Sequence, residues 1–595
     1  MIENPIVQNL ANNALFPIEA LDTLKDRYLL ETDKTPQDMY ARIAWEAFRR
    51  EKDDEIRLKK AQKIYDYMSK HWFSPATPIL SNLGANRGLP VSCFINEPAE
   101  DSMDAIIDLW WENAHLASKG GGIGSDFSKI RSVGELIGTT GKTSGVIPFI
   151  KVVDSLTLAV SQGNLRRGST AVYLRVDHPE IEMFLNSALD ATDPNRHNPN
   201  LFFGVNIPDA FMEAVRDGKE WDLISPKTGE KISSVDARKL FNLILDVRSK
   251  KGYPYMFFID AVNRAIPEHH KELGLEVKTS NLCSEICLPT TSDRTAICLL
   301  SSVNLTYFDT WRDDPEFIPY VVEFLDNIID IFAEDAPEKL KRAIHSALQE
   351  RSLGLGVMGF HTYLQKNRLP FGGKLTSIYN KEIFGHINKE VIKSQKKLVE
   401  ERGPCLDALK TGHQIRNSYV TAIAPTASIS TICGGTSPGI EPEISNVFIH
   451  KTLSGNFKIK NKVLAEVLQS YDKDTDEVWE SIADNEGSVQ HLDFLSKTEK
   501  DTFRTAFEID MRHVIDMAVE RQRFINQAQS VNLFFKEGIS RKDYASLHIK
   551  AWKDGLKSLY YARNYIKPGE STNKTTGNSV AVVDYSKPAE CLSCQ

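Results

Sequence analysis

Apolar side chains recur three and four positions apart within residues 1–85, which is the spacing of one helix face. Two such runs are Leu21, Leu24 and Tyr28, and then Ile43, Ala44, Ala47 and Phe48. Polar residues fill the positions between them. This pattern predicts a helical N-terminal segment over residues 1–85.

The pattern changes over residues 86–445. Short β-rich runs such as 419–424 alternate there with amphipathic stretches such as 103–118 and 321–332. Strands and helices in alternation favour an α/β domain with a mainly parallel sheet, either open or closed into a barrel. Residues 446–560 return to a mostly helical pattern.

The last thirty residues differ in composition. Residues 567–579 contain Pro, Gly, Ser, Thr and Asn with almost no apolar side chain, so they cannot support a core. We expect a flexible tether that carries Cys591 and Cys594. The predicted organisation is therefore a helical segment over 1–85, an α/β domain with associated helices over 86–565, and a tail over 566–595.

Charge and hydropathy narrow the class of protein. The 72 basic and 80 acidic residues give a net charge of −8 that is spread along the chain, which argues against a nucleic-acid partner. The most apolar long stretch, 146–160, contains Lys151 and Asp154 and is too short to span a bilayer. The N-terminus lacks a basic segment leading into an apolar core. We expect an unexported, cytoplasmic protein with no membrane partner.

The eight cysteines are too sparse in 595 residues to suggest a disulfide scaffold. Cys591 and Cys594 form a CxxC, a spacing that serves thiol–disulfide exchange and also supplies half of a zinc site. A closed zinc site needs two more ligands, and the tail offers neither a His nor a second CxxC. Redox exchange is therefore favoured over zinc binding or accidental spacing, and we predict no metal site.

Three glycine-rich or hydroxyl-rich segments invite a phosphate-binding interpretation. The first two are 120–124 and 141–145; the second fails as a Walker A loop because Leu136 stands where that motif requires glycine. Turn-forming glycine is an equally good explanation for both. The third, 425–430, follows a strand-like run, so its hydroxyls could bind phosphate together with free helix N–H groups, or could simply cap a helix.

Asn281, Cys283 and Glu285 occupy alternate positions, so on an extended loop their side chains would point the same way. A carboxylate beside a thiol suggests acid–base work coupled to sulfur chemistry. A lone cysteine in such a setting is more often a small buried hydrophobe. The Tyr560–Tyr561 pair is weaker evidence, since aromatic pairs usually just pack.

Together these segments resemble the large subunit of class I ribonucleotide reductase from about residue 20 to the final cysteine pair. The resemblance rests on several separated motifs in the family's order: 76–80 (ATPIL), 91–93 (VSC), 281–285 (NLCSE), 297–301 (ICLLS), 425–430 (PTASIS), 559–561 (LYY) and the terminal CxxC. It implies a ten-stranded α/β barrel with a central finger loop, preceded by a helical N-terminal segment.

The resemblance also implies the activity of a ribonucleoside-diphosphate reductase, which makes deoxyribonucleotides. Cys283 would become a thiyl radical and abstract the 3′-hydrogen of the ribose. Glu285 would take the 3′-hydroxyl proton, and Asn281 would bind the sugar hydroxyls. Cys93 and Cys298 would then supply the reducing equivalents and end as a disulfide.

Regeneration and substrate binding follow from the same resemblance. Cys591 and Cys594 would reduce the internal disulfide by exchange, and thioredoxin or glutaredoxin would reduce them in turn. The substrate would contact the hydroxyls of Thr77 and Ser92. Its phosphates would lie on a run of residues, namely Thr426, Ala427, Ser428, Ile429 and Ser430.

Tyr560 and Tyr561 match the adjacent tyrosines through which class I enzymes receive a proton-coupled electron transfer from a separate small subunit. That subunit contains the metal and generates the radical, so we expect no cofactor on this chain. Adenosylcobalamin-dependent relatives make the radical on site and have no comparable need for a tyrosine pair.

Allosteric residues are implied less directly. Asp101, Ser102 and Met103 resemble the start of the specificity site, where a deoxynucleoside triphosphate or ATP binds at the interface of a homodimer. Arg131 and the loop 162–168, with Gln162 and Arg166, match the two loops that relay effector identity. Many relatives begin with an ATP-cone, whereas this sequence starts in the helical segment. We therefore expect that dATP does not switch off overall activity through such a cone.

Two alternatives stay open at this point. A cobalamin-dependent ribonucleotide reductase is separable by whether activity needs a second protein or adenosylcobalamin. A thiol-based redox or zinc-binding interaction protein would use the CxxC alone, and would leave Asn281, Cys283 and Glu285 unexplained. The anaerobic relatives need a glycyl-radical motif near the C-terminus, and the sequence contains none.

Overall fold

The structure is a computed structural model that describes residues 4–85, 87–139, 141–162, 166–189, 192–452 and 455–565. For 161–162, 166–167, 449–452 and 455–458 it describes the backbone alone. The predicted tail with Cys591 and Cys594 lies outside the described residues. Within the described ranges, no helix combines the length and apolarity needed to cross a membrane.

Helices account for much of the described chain, and their limits are as follows. They are α1 (Ile18–Arg27), α2 (Pro36–Ala47), α3 (Asp54–Ser69), α4 (Thr77–Asn82), α5 (Met103–Ser118), α6 (Ile147–Ala159), α7 (Ile181–Ser187), α8 (Asp209–Asp217), α9 (Ala237–Lys251), α10 (Ile259–Arg264), α11 (Glu268–Glu272), α12 (Phe308–Trp311), α13 (Phe317–Asp335), α14 (Lys341–Glu350), α15 (Phe360–Lys366), α16 (Lys374–Arg402), α17 (Leu406–Lys410), α18 (Ala427–Ile432), α19 (Lys462–Ser470), α20 (Asp476–Asp484), α21 (Lys497–Thr502), α22 (Met511–Gln522) and α23 (Arg541–Lys553). Short 3₁₀ turns cover Leu10–Leu15, Leu305–Tyr307, Glu338–Leu340 and Ala506–Glu508.

The described strands are shorter. They are β1 (Phe73–Pro75), β2 (Cys93–Asn96), β3 (Gly122–Asp126), β4 (Leu136–Ile137), β5 (Gly141–Lys142), β6 (Ser161–Gln162), β7 (Arg166–Arg167), β8 (Ser169–Arg175), β9 (Leu201–Ile207), β10 (Glu220–Ile224), β11 (Lys231–Asp236), β12 (Tyr255–Phe258), β13 (Ala296–Asn304), β14 (Leu353–Met358), β15 (Val447–Thr452), β16 (Gly455–Lys460), β17 (Leu533–Phe535), β18 (Ser558–Leu559) and β19 (Ala562–Asn564).

The helical N-terminal part agrees with the apolar spacing. In α2, Met39, Tyr40 and Ile43 are fully buried, which places one face of the helix in the core. The helix begins with a capping box, in which the Asp38 carboxylate accepts the Thr35 N–H at 2.8 Å. Helix α5 likewise spans the amphipathic stretch predicted over 103–118.

A curled mixed sheet forms the centre of the molecule, with strand order β1-β13-β2-β3-β8-β9-β12-β18 and with β14 also paired to β13. Parallel pairing links β2 to β3, β3 to β8, β8 to β9 and β9 to β12, and it also links β13 to β14. Strands β1 and β18 pair antiparallel with β13 and β12, respectively. An antiparallel contact between β2 and β13 joins the two groups. The parallel arrangement predicted from sequence thus holds within each group, and the sheet as a whole is mixed.

Two segments outside the named strands continue this sheet. Residues 419–424, predicted as a β-rich run, form parallel bridges rather than a regular strand, with Thr421 opposite Leu355 and Ile423 opposite Gln529. The Ile423 N–H donates to the Ala528 carbonyl oxygen at 3.1 Å. The Tyr560 N–H donates to the Val531 carbonyl oxygen at 2.9 Å. Backbone hydrogen bonds therefore run from β14 through 419–424 and 526–532 to the residues that follow β18.

The region after residue 445 departs from its prediction chiefly at the hairpin β15–β16, and the short strands β17 and β18 also lie within it. It was expected to be mostly helical, but it begins with the antiparallel hairpin β15–β16 before helices α19 to α23. Apolar and charged residues alternate from Phe457 to Lys460, which is the two-residue period of a strand. The helical expectation therefore holds only from α19 onward.

Candidate active site

The segment that carries Asn281, Cys283 and Glu285, residues 279–290, is called the finger segment here. The prediction of an extended loop is wrong, because residues 281–284 form a turn in which Ser284 has a φ of 65°. The Asn281 side-chain oxygen accepts the N–H groups of Glu285 and Ile286, both at 3.1 Å. The turn, not strand alternation, therefore decides how these side chains are placed.

Close backbone packing seats the finger segment against the sheet. A Cβ on Gly124 of β3 would lie 2.1 Å from the Ser280 carbonyl oxygen and 2.8 Å from the Asn281 Cα, so only glycine fits there. From β8, the Tyr173 hydroxyl donates to the Asn281 carbonyl oxygen at 2.7 Å. The glycine-rich stretch 120–124 therefore serves close packing, which the phosphate-loop interpretation did not anticipate.

The other glycine-rich stretch, 141–145, faces a carboxylate. The Glu180 side chain accepts the Val146 N–H at 3.0 Å and the Val133 N–H at 2.9 Å. Gly145 adopts a φ of 87°, which is the turn conformation that favours glycine. Because an internal carboxylate already occupies the nearby N–H groups, the turn explanation fits this segment better than phosphate binding does.

Glu285 is a fully buried carboxyl group at the end of the turn. Burial raises its pKa to about 7, although hydrogen bonding by Asn281 and Ser530 opposes the rise. Its Oε1 has no hydrogen-bond partner among the described residues. A carboxyl group that changes charge near neutral pH and has an unpaired oxygen is suited to exchange a proton with a bound hydroxyl.

Cys283 is 2% exposed and lies two residues before Glu285. Its sulfur is disulfide-bonded in this structure, so radical chemistry at this sulfur requires the reduced chain. Cys287, the next cysteine along the finger segment, is also buried, and burial raises its pKa to about 12. Burial therefore disfavours a thiolate at Cys287.

Cys93 and Cys298 come together from distant parts of the chain. They are paired residues on the antiparallel strands β2 and β13, so their side chains leave the same face of the sheet side by side. The Asn281 Nδ2 donates to the Cys93 Sγ at 3.3 Å, which links this pair to the finger segment. Burial raises the pKa of the Cys298 thiol. The structure thus brings the predicted thiols, amide and carboxylate into one place.

An apolar shell encloses these groups. The Cys93 and Cys298 side chains belong to a buried cluster to which both sheet groups and the finger segment contribute: Ala76, Cys93, Ile95, Ile286, Leu288, Ala296, Cys298, Leu300, Tyr419, Ala422 and Ala424. We call it the inner cluster. Its burial keeps bulk water away from the Cys93 and Cys298 side chains.

The segment 526–532 was not singled out from the sequence, yet it contacts the finger segment at several points. Its Ser530 hydroxyl donates to the Cys283 carbonyl oxygen at 2.6 Å and lies 3.4 Å from the Glu285 Oε2. The Ala528 N–H donates to the Glu285 carbonyl oxygen at 2.9 Å. More than two hundred residues separate the partners, and local sequence carries no signal of such contacts.

Tyr560 and Tyr561 lie on the other side of the same segment. Their ring centroids are 4.3 Å apart with an interplanar angle of 57°. Both rings also contact Tyr255 of β12, at 4.8 and 5.2 Å. The Tyr561 N–H donates to the Asn532 side-chain oxygen at 2.9 Å. The segment 526–532 therefore lies between the tyrosine pair and the finger segment.

A fully buried arginine holds the tyrosine backbone. Arg248 of α9 donates through Nη1 to the carbonyl oxygens of Pro254 and Tyr560, both at 2.7 Å. Its Nε donates to the His548 Nε2 at 2.9 Å. Burial lowers the pKa of Arg248 to about 10, so the group remains charged at neutral pH. Sequence inspection missed this residue because a single arginine on a helix usually lies in solvent.

The predicted phosphate-binding run opens helix α18, which begins at Ala427 after Thr426 in a left-handed conformation with φ of 58°. The Thr426 hydroxyl oxygen accepts the Gly439 N–H at 2.7 Å, while Ser428 is half-buried and Ile429 and Ser430 are buried. Ala424, two residues earlier, belongs to the inner cluster. Helix α18 therefore starts three residues after a member of the inner cluster.

Thr77 and Ser92 lie beside the same cluster. Thr77 begins α4 directly after Ala76, and its hydroxyl is 2.9 Å from that of Tyr28 in the N-terminal part. Ser92 precedes Cys93, and its buried hydroxyl has no hydrogen-bond partner in the described part of the chain. Across the described residues, no group of three or more His, Cys, Asp or Glu side chains could hold a metal ion.

The predicted effector residues are partly brought together. The Arg131 Nε donates to the Asp101 carboxylate at 2.5 Å, and Ser102 caps helix α5 by accepting the Ala105 N–H at 3.2 Å. Met103 is 57% exposed. The backbones of Gln162 and Arg166 pair in the short β6–β7 hairpin, and their side chains lie outside the described atoms.

Comparison with known proteins agrees with this geometry. The family model described as "Ribonucleotide reductase, barrel domain" matches residues 91–414 and 406–562, and the one described as "Ribonucleotide reductase, all-alpha domain" matches residues 15–88. A protein of Frog virus 3 (isolate Goorha) is 40% identical over 540 residues, covering 90% of this chain and 92% of the relative.

Two further comparisons extend the likeness. The "Ribonucleoside-diphosphate reductase large subunit" of Invertebrate iridescent virus 3 is 38% identical over 611 residues, covering 93% of this chain and 94% of the relative. Among solved structures, the "Actinobacillus ureae class Id ribonucleotide reductase alpha subunit" superposes with a TM-score of 0.81 at 33% identity, covering 92% of this chain and 97% of that chain.

Proposed function

The chain belongs to the ribonucleotide reductase large-subunit family, and we propose that Cys283, Glu285 and Asn281 perform its radical chemistry on the ribose of a nucleoside diphosphate. One observation carries the assignment. A buried turn carries Cys283 two residues before Glu285, whose Oε1 has no hydrogen-bond partner among the described residues. The Asn281 amide of the same turn donates to the Sγ of Cys93, the cross-strand partner of Cys298, at 3.3 Å. The class I interpretation of this ribonucleoside-diphosphate reductase is favoured over the cobalamin-dependent alternative.

The proposed reaction balances on these residues. The Cys283 sulfur radical takes the 3′-hydrogen atom and becomes a thiol, while Glu285 accepts the 3′-hydroxyl proton. The 2′-hydroxyl leaves as water after protonation by a thiol of the Cys93–Cys298 pair. The other thiol of the pair gives a hydrogen atom to C2′. The pair becomes a disulfide, the electron that this releases reduces the 3′-ketone, and Glu285 returns its proton to O3′. Cys283 then returns its hydrogen atom to C3′, which restores the sulfur radical.

The environment of Glu285 suits both directions of proton transfer. A carboxyl group with a pKa of about 7 can accept the hydroxyl proton and later return it at little cost. The unpaired Oε1 offers an acceptor for a sugar hydroxyl, and Asn281 can position a second hydroxyl. The inner cluster excludes water that would quench a carbon radical.

The backbone connections support a closed ten-stranded barrel with the finger segment inside it. The ring would comprise β2, β3, β8, β9 and β12, then β18 with its neighbours, the segments 526–532 and 419–424, and β14 and β13. Hydrogen bonds link each of these neighbours. Closure leaves no free sheet edge at the reaction site.

Tyr560 and Tyr561 are proposed to pass the oxidising equivalent from a separate small subunit, whose metal chemistry generates the radical. Ring centroids 4.3 Å apart support electron transfer between the two side chains. Val531 accepts the Tyr560 N–H, and the adjacent Ser530 bonds the Cys283 backbone. The relay would thus end beside Cys283.

The substrate diphosphate is proposed to bind at the start of α18. Thr426, Ala427, Ser428, Ile429 and Ser430 would surround it, and the hydroxyls of Thr77 and Ser92 would contact the substrate nearby. Ala76 and Ala424 in the inner cluster support this placement, since each lies within three residues of these groups. The unpaired Ser92 hydroxyl would gain a partner on binding.

Effector binding and dimer formation are proposed at helix α5. Met103, Ile107 and Trp111 recur every four residues and are 57%, 48% and 38% exposed, so one helix face presents an apolar stripe. A second copy of the chain would cover that stripe, with an effector nucleotide near Asp101, Ser102, Arg131 and the 162–166 hairpin.

The Cys591–Cys594 pair is proposed to pass electrons from thioredoxin or glutaredoxin to the Cys93–Cys298 disulfide.

The first test is CDP reduction by the reduced chain with dithiothreitol and an effector nucleotide. We expect dCDP only when a metal-loaded small subunit is added, and loss of turnover in Cys283→Ser with nucleotide binding retained. Tyr560→Phe should also abolish turnover, whereas Tyr255→Phe, which preserves the adjoining ring, should keep most of it. Turnover with adenosylcobalamin alone would contradict the relay, as would full activity of Tyr560→Phe.

A further inference from the structure

We infer that Gln527 is a positioning residue that sets how fast the Cys93–Cys298 disulfide is reduced after each turnover. The inference rests on the proposed reducing role of these two cysteines and adds a residue to it. Gln527 is fully buried on the segment 526–532, and 229 residues separate it from Cys298. Its side chain reaches three different parts of the site.

Three hydrogen bonds fix the orientation of the Gln527 amide. Its Oε1 accepts the Cys287 N–H at 3.0 Å, and its Nε2 donates to the Leu353 carbonyl oxygen at 2.8 Å. If the amide were flipped, Nε2 would face the Cys287 N–H and Oε1 would face the Leu353 carbonyl oxygen, so both hydrogen bonds would be lost. The remaining N–H is therefore directed at the Cys298 Sγ, which lies 3.4 Å from Nε2.

The Cys298 sulfur lies where negative charge is poorly tolerated. The side chain is 0% exposed, and a Cβ on Gly354 would come within 2.9 Å of its Sγ. Burial raises the pKa of this thiol, Glu285 and Glu350 raise it further, and the Gln527 N–H lowers it. The amide therefore offsets part of the cost of a thiolate at this sulfur.

A thiolate at Cys298 is required by the exchange step. The thiolate of an external dithiol attacks the Cys93 Sγ, a new S–S bond forms to Cys93, and the Cys93–Cys298 bond breaks with its electron pair left on Cys298. The second thiolate of the reductant then displaces Cys93. The reductant ends as a disulfide, and the two cysteines each take up a proton. Stabilising the leaving thiolate speeds such exchange.

The direction of attack follows from exposure. Cys93 is 4% exposed whereas Cys298 is fully buried, so the reductant reaches Cys93 first. Ribose reduction, by contrast, starts from two neutral thiols, to which an N–H donor contributes less than it does to a thiolate. Loss of the Gln527 N–H should therefore slow re-reduction more than it slows the first turnover.

The experiment uses the full-length chain with Cys591→Ser and Cys594→Ser as the common background, so that the tail cannot reduce the Cys93–Cys298 disulfide. The pair is oxidised by one round of CDP turnover with the small subunit, and dithiothreitol is the reductant. Gln527→Met removes the donor with little change in volume. Gln527→Glu keeps an oxygen for the Cys287 N–H and replaces the donating nitrogen. Gln529→Met is the matched control, since Gln529 is also buried and its Nε2 donates to the Ala518 carbonyl oxygen at 2.9 Å.

Reduction is followed by acid quenching, alkylation and mass spectrometry of the Cys93 and Cys298 peptides. We expect the rate of reduction to fall about 10-fold in both Gln527 variants, because a hydrogen bond to a charged sulfur is lost. The dCDP formed in the first turnover by pre-reduced chain should fall much less. In Gln529→Met, the disulfide should be reduced at a rate within about twofold of that in the unaltered chain, because the hydrogen bond that is lost does not involve the thiols.

Three outcomes would overturn the inference. One is a reduction rate in both Gln527 variants that equals that of the unaltered chain. Another is an equal loss of first-turnover product and reduction rate, with a lowered unfolding temperature, which would make Gln527 a structural residue. The third is that the unaltered chain forms no Cys93–Cys298 disulfide on turnover, in which case the proposed role of the pair itself fails.

Discussion

The Ser530 hydroxyl donates to the carbonyl oxygen of Cys283 at 2.6 Å, although 247 residues separate the two in the chain. The neighbouring Val531 accepts the Tyr560 N–H at 2.9 Å. One short segment therefore touches the proposed radical cysteine on one side and the proposed relay on the other. Displacement of this segment should alter catalysis even where no substrate contact is lost.

Ser530→Ala removes the hydrogen bond that the Ser530 hydroxyl donates to the Cys283 carbonyl oxygen. We expect a loss of about 1 kcal/mol in the free energy of unfolding. Turnover should slow by about 10-fold or more, since small displacements of reacting groups are costly. KM should change little. The measurement is steady-state CDP reduction together with denaturant unfolding.

Ser187→Ala is the control for that variant. Its hydroxyl is also buried and donates to the Phe184 carbonyl oxygen at 2.8 Å, in a helix away from the site. The two variants should lose similar stability, and only Ser530→Ala should lose turnover. Equal turnover rates in the two would show that the contact to Cys283 is merely structural.

Glu285→Gln should abolish turnover and stabilise the fold at high pH. The folded chain holds the Glu285 proton up to about pH 7, whereas the unfolded chain releases it near 4.5. Stability therefore falls as pH rises between these values, and the penalty above pH 7 is at most about 3 kcal/mol. Glutamine has no charge to bury, so it removes the penalty.

Urea unfolding of both chains between pH 4.5 and 8 checks the predicted direction of the pH dependence. The free energies of unfolding of the two chains should be nearly equal near pH 4.5, and the variant should be more stable at pH 8. The turnover rate of the unaltered chain should also fall below pH 7, because a protonated Glu285 cannot accept the 3′-hydroxyl proton. A variant that is less stable than the unaltered chain at pH 8 would contradict the assignment.

Gly124→Ala should displace the finger segment from β3, because the added Cβ would lie 2.1 Å from the Ser280 carbonyl oxygen. Backbone must move to relieve this contact, so we expect a loss of about 3 kcal/mol or more together with loss of activity. Circular dichroism melts and CDP reduction report the two effects.

The matched change elsewhere is Gly385→Ala within α16, where the nearest atom to an added Cβ is 3.7 Å away. Because alanine favours a helix interior over glycine by up to about 1 kcal/mol, this variant should be slightly more stable and fully active. Similar behaviour of the two glycine variants would refute the packing argument for Gly124.

Arg248→Met should loosen the tyrosine pair. It removes the two hydrogen bonds that Arg248 donates to the carbonyl oxygens of Pro254 and Tyr560. We expect a destabilisation of about 2–4 kcal/mol and slower turnover with the small subunit. Arg238→Met is the control, because exposed Arg238 also donates to two backbone carbonyl oxygens.

In the Arg238 variant, water can replace the lost donor, so its stability should change by less than about 1 kcal/mol. Thermal unfolding compares the two variants directly. Nucleotide binding, measured in the same preparations, separates a local change at the tyrosines from general unfolding. An Arg248→Met chain as stable and active as Arg238→Met would show that Tyr560 needs no such support.

The sequence pattern predicted correctly those elements that are stabilised by interactions between residues close together in the chain. Helix α5 begins and ends where the apolar spacing of 103–118 predicts, because an amphipathic face and a Ser102 cap act within a few residues. The residues of the finger segment were likewise identified from their types and from the family resemblance. Their geometry was not, since the turn at Ser284 replaces the expected extended loop.

The contacts that make these residues a site arise only when the chain is folded. Cys93 meets Cys298 because β2 pairs with β13, and Gln527, Ser530 and Arg248 reach the site from elements far away in sequence. Such contacts depend on strand register and close backbone packing, which are properties of the assembled sheet and leave no periodic trace in the sequence. The sequence therefore determined the chemical groups and the helices, and the tertiary structure decided which groups touch, how deeply Glu285 is buried and hence where it titrates.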